Sequence, residues 1–94
     1  MRRLLPLLAV ALMSAPAFGQ APCYADYKAR TVEPLRLHYG TIELHEACDA
    51  SSAASEIAGR IARDGWQLLE VVGIFDADGL QEREADAGAY HLRY

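Results

Sequence analysis

The chain has 94 residues, 52% of them hydrophobic and 23% charged, with a formal net charge of −4. That length holds one small domain at most and excludes a two-domain enzyme, a doubly wound nucleotide-binding fold and a transmembrane bundle. The acidic balance argues against nucleic acid or anionic lipid as a partner, because both are polyanions.

Met1-Arg2-Arg3 supplies a positive start, residues 4–13 an apolar stretch, and Ser14 to Gly19 small residues around a helix-breaking proline. These three parts in this order read as a secretory signal peptide over residues 1–19, with cleavage expected after Gly19. The apolar stretch is too short to span about 30 Å of hydrocarbon, so no membrane attachment is expected after cleavage. Cleavage leaves a single domain over residues 20–94 and, with two arginines gone, moves the formal charge from −4 to −6. The implied localisation is periplasmic or secreted. In an oxidising compartment the only two cysteines, Cys23 and Cys48, read as one disulfide. The chain-entropy argument gives such a loop about 3.5 kcal/mol, which is large for a core of about 75 residues.

Residues 26–33 read as a first strand, with Tyr27, Ala29 and Thr31 on one face and Lys28, Arg30 and Val32 on the other. Pro34 stops it or places it on an edge. Residues 35–45 fit a hairpin turning at Tyr39-Gly40, which sets Leu37 against Ile42, Arg36 against Glu43 and Leu35 against Leu44. Tyr is a poor first turn residue, so a single strand bulged at Gly40 stays open as the alternative. A helix follows, capped by Asp49 or Ser51 and stopped by Gly65. Its apolar stripe is Ala54, Ile57, Ala58 and Ile61, with Glu56 and Arg60 paired outside. Residues 66–75 read as a strand whose two alternating sets are both apolar, the pattern of burial on both sides. Asp76 to Gly79 read as a turn, the acidic stretch to Asp86 as a loop, and residues 89–94 as a last strand. Ile57, Ile61, Trp66 and Leu68 are expected in the core.

Tyr27-Lys28, Gly65-Trp66-Gln67-Leu68, Val71-Val72 and Tyr90-His91-Leu92-Arg93-Tyr94 together resemble a family of small bacterial domains of unknown function, numbered 4177. The likeness covers residues 54–75 and 89–94; residues 33–50 look inserted, and Gln67 stands where the family has Glu. It implies a β-α-β-β fold and no activity. A weaker similarity to secreted peptidase-propeptide modules would imply protease inhibition. The expected class is therefore α+β: one helix on a three- to four-stranded, mainly antiparallel sheet, with an extra hairpin before the helix and one disulfide.

Catalytic signals are thin. The acidic stretch lacks the spacing of a twelve-residue calcium loop. His38, His45 and His91 fall at polar strand positions without the spacing of a zinc site, and no Gly-x-Ser-x-Gly elbow occurs. No catalytic, cofactor-binding or metal-ligating residue is identified, and no cofactor is expected. Tyr90, Tyr94 and Glu70 are the candidate contact residues, since tyrosine buries area at low entropic cost. The expected function is an exported, non-enzymatic protein–protein interaction module. A small protease or hydrolase inhibitor is the alternative and a small enzyme the second. One helix covers one sheet face, so the other is expected to meet a second copy as a homodimer, another protein, or the 35–44 hairpin.

Overall fold

The computed structural model describes residues 21–94; the expected signal peptide lies outside them. Strand β1 (Cys23–Val32) turns at Glu33-Pro34, across a cis peptide bond, into β2 (Leu35–Leu44). Helix α1 (Ala50–Ile61) and a 3-10 turn (Ala62–Asp64) lead to β3 (Gln67–Phe75). Helix α2 (Ala77–Ala87) and a second 3-10 turn (Gly88–Tyr90) follow. The sheet is antiparallel in the order β2-β1-β3, so the described residues form an α+β fold with three strands and two helices. Cys23 and Cys48 are joined, with Cα atoms 6.1 Å apart, and the bridge encloses the whole β1–β2 hairpin.

The hairpin expected within residues 35–45 does not form: residues 35–44 are one strand, as in the single-strand alternative, and the hairpin of this fold is β1–β2. Tyr39-Gly40 makes no turn; β2 runs straight through it, pairing Tyr39 with Lys28 and Gly40 with Tyr27. The reason is Tyr27, whose ring lies over Gly40. A Cβ at residue 40 would sit 2.7 Å from the Tyr27 hydroxyl, so glycine is there for close approach rather than for a turn. The β1–β2 register is unbroken, so the bulge foreseen at Gly40 is absent as well; the two register shifts lie between β1 and β3.

Helix α1 begins at Asp49, whose carboxylate accepts the Ser52 N–H at 2.8 Å, and the turn after it ends at Gly65 with φ 84°. Its buried stripe is Ala53, Ile57 and Ile61. Ala58 is exposed, so the helix is rotated by about one position from the expected stripe. Against it lie Ala25, Tyr27, Ala29, Ile42 and Leu44, with Trp66 5% exposed and Leu68 half-buried at the margin. Each large apolar side chain so buried stabilises the fold by about 1.5–3 kcal/mol.

The expected acidic loop is instead α2. Asp76 caps it by accepting the Asp78 and Gly79 N–H groups, and Asp78 sits in the positive first turn. An Asp-x-Asp-Gly run serves a turn and a helix start equally well, which is why the loop reading fails. The expected terminal strand shrinks to one parallel bridge, Thr41 with His91. Leu92 at φ 53° takes the left-handed conformation and breaks the extension. Strand β3 is not buried on two sides either. It is an edge strand, with Leu69 and Val72 half exposed at the two irregular positions.

Candidate functional site

The alternation of β2 divides the polar chemistry between two faces. On the α1 face, His38 stands opposite Ala29 and is only 8% exposed. Its Nε2 lies 2.9 Å from the Tyr27 hydroxyl, its ring stacks on Tyr90 at 3.7 Å, and Trp66 meets it edge-on at 4.2 Å. The Nδ1 atom is buried without a hydrogen-bond partner among the described residues. Burial, and then the nearby Arg93 charge, push the imidazole down to about 4. This histidine is a neutral core residue, not the surface position its polar context suggests.

Tyr90 and Tyr94, expected as contact residues, are drawn into the same cluster. Leu92 N–H donates to the Thr41 carbonyl and to Thr41 Oγ1, each at 3.0 Å, which carries the chain across the β2 edge from one face to the other. Arg60 then holds the far end: Nη2 donates to the Tyr94 backbone oxygen at 2.6 Å, Nη1 to Glu56 at 2.6 Å and to the Glu43 carbonyl at 2.7 Å. Burial alone would raise the Glu56 carboxyl; hydrogen bonds from the His45 backbone and from Arg60 hold it below the usual carboxylate range.

Thr41, His91 and Glu84 imitate a catalytic order of hydroxyl, imidazole and carboxylate. Thr41 Oγ1 is 2.9 Å from His91 Nδ1, and His91 Nε2 is 4.0 Å from Glu84. A nucleophile must be reachable by substrate, and Thr41 is fully buried with its oxygen already engaged by Leu92. The trio is a latch. Among the described residues no three His, Cys, Asp or Glu side chains gather as a metal site, and no helix is long and apolar enough to cross a membrane.

On the opposite face, α2 covers only one half. There Asp26, 3% exposed, accepts the Tyr39 hydroxyl at 2.7 Å and Arg83 Nε at 3.0 Å, and the Arg83 guanidinium lies over the Phe75 ring at 4.0 Å. The other half is open. Val32 and Leu35 pair across the hairpin, Leu37 stands two residues on, and Leu69 lies beyond Lys28. Lys28, Leu37, Tyr39 and Leu69 border a shallow cavity of about 310 Å³. Glu70, the third candidate contact residue, is here, 3.7 Å from Lys28. Comparison with family models, curated proteins and solved structures finds no match, so the functional reading rests on this geometry.

The buried histidine sets a pH dependence. Folded His38 titrates near 4 and an unfolded histidine near 6.5. Between those values the unfolded chain binds a proton that the folded chain does not, so stability falls as pH drops through this window. The full loss is up to about 3 kcal/mol. Urea midpoints at pH 7 and pH 4.5 measure it, and His38→Gln should flatten the difference. An unchanged slope in that variant would assign the acid sensitivity to other groups.

Proposed function

We propose that this chain is an exported protein–protein contact module that works without turnover and presents the open half of its sheet face to another protein. The observation that carries the reading is the set Val32, Leu35, Leu37 and Leu69 around Lys28 and Arg30, exposed by 56%, 66%, 68% and 49% on one side of the sheet. Monomers rarely expose apolar patches beyond a few hundred Å² unless they are used. The Cys23–Cys48 bridge supports a periplasmic or secreted setting. The likeness to the 4177 domains through Gly65-Trp66-Gln67-Leu68 belongs to the same proposal, although the observed β-β-α-β-α order departs from the order it implies. An inhibitor would offer residues 76–88 as a loop, and that segment is helical, so we favour the contact reading. The covering protein is either a second copy or a different chain.

The test compares the mature protein with Leu37→Asp. The wild type is expected to bind a hydrophobic dye and to cross-link to a discrete protein in periplasmic extract. The variant should lose both by about tenfold, the factor that 1.4 kcal/mol of binding carries. Its thermal midpoint should hold within a few degrees, since the substituted side chain is 68% exposed. A wild type silent to the dye, or a variant that keeps the cross-link, would overturn the reading.

A further inference from the structure

Charge and shape say more about what covers the open half. Lys28 and Arg30 stand in the middle of the apolar set, on the central strand, within a chain whose formal charge is −4. Only part of their charge is answered: Lys28 lies 3.7 Å from Glu70, and Arg30 donates to the Gln67 side chain at 3.3 Å. A second copy related by a two-fold axis would bring these cations towards themselves, which like charges oppose. The covered half of the same face shows the matching solution with the signs reversed. There the face carries the acid, Asp26, and α2 answers with Arg83.

Dimensions favour a helix. As far as Arg30, opposite the first residue of β3, three strands give a floor about 10 Å wide, the diameter of a helix. From Lys28 to Val32 the open stretch runs about 13 Å, which is about 9 helical residues. Strand addition at the β3 edge is the less suitable mode, because the irregular positions at Leu69 and Val72 interrupt a straight ladder there. Resting on the contact reading above, we infer that the open half receives an amphipathic helix of a different protein, apolar on one stripe and acidic along its flanks. This helix lies beside α2 and completes a second helical layer. Its leucine-sized side chains enter the cavity between Leu37 and Leu69, and its carboxylates meet Lys28 and Arg30.

Two fluorescent synthetic helical peptides test this against the mature protein: one with leucines at i, i+3, i+4 and i+7 and glutamate flanks, the other identical but with lysine flanks. Fluorescence anisotropy should show the glutamate peptide binding at least about tenfold tighter. The Lys28→Glu, Arg30→Glu double variant should reverse that preference, while Leu37→Asp should abolish binding of both. Equal affinity for the two peptides, or a preference that the double variant leaves unchanged, overturns the inference. So does light scattering that finds a dimer dispersed by Leu37→Asp; that outcome replaces the helix by a second copy and leaves the contact reading standing. Failure of both peptides together with a cross-link insensitive to Leu37→Asp removes both.

Discussion

Arg83→Ala should destabilise the fold by about 3 kcal/mol, measured by urea unfolding at pH 7. The cost comes from what the substitution leaves behind. Asp26 is 3% exposed, and its Oδ1 has no partner among the described residues. Removing the guanidinium leaves a buried carboxylate held, among the described residues, by the Tyr39 hydroxyl, and breaking a buried pair by deleting one member costs about 3–5 kcal/mol. The low end applies because the Arg83 side chain is 31% exposed. The ring contact with Phe75 and the bond to the Gly79 carbonyl, 2.8 Å, go with it. Adding Asp26→Asn to Arg83→Ala should recover more than half of the loss, because the uncompensated charge is then gone. A single variant within 0.5 kcal/mol of wild type, the range of ordinary surface changes, would mean that α2 is held by something other than this pair.

Trp66→Ala should cost about 3–5 kcal/mol, the range for deleting a buried tryptophan. Trp66 packs with Ile57 and Ile61, meets His38 edge-on and lies 5.7 Å from Tyr90, while Arg36 lies over its ring at 4.9 Å. Its loss opens a cavity and takes away one wall of the His38 cage. Trp66→Phe should retain much of the stability, since it refills part of that volume. Neither variant touches the open half of the far face, so residual folded protein should keep its dye and peptide binding. A variant that melts like wild type but no longer binds would make Trp66 a contact residue.

Some of this was legible in the amino-acid order and some was not, for identifiable reasons. The cysteine pairing, the Asp49 cap, the Gly65 stop and the burial of Trp66 each follow from a local rule that the tertiary structure does not override. Gly40 misleads because a glycine needed for a turn and one needed beneath a tyrosine ring look identical in the sequence. Misplacing that turn also pairs Leu35 and Leu37 within β2 itself and hides them as an exposed set. Alternation at Tyr90, Leu92 and Tyr94 fits a strand, yet it fits equally a segment that crosses an edge and lays two rings on one face. The burial of His38 is not legible at its polar strand position, because three of the rings that enclose it come from residues 66, 90 and 94, far along the chain.

The position of the disulfide also bears on how fast the sheet assembles. The β1–β2 hairpin is local and needs only its tight turn, whereas β3 must find β1 across about fifty residues between Tyr24 and Phe75. The covalent link from Cys23 to Cys48 cuts that path to about thirty. Closure entropy grows as about (3/2)RT ln n, so the shortcut is worth roughly 0.5 kcal/mol, about a twofold gain in the rate at which the third strand docks. Both cysteines precede β3 in the chain. A chain delivered from its N-terminus into an oxidising space can therefore fasten the hairpin first and present β1 already shaped as the template for its last strand.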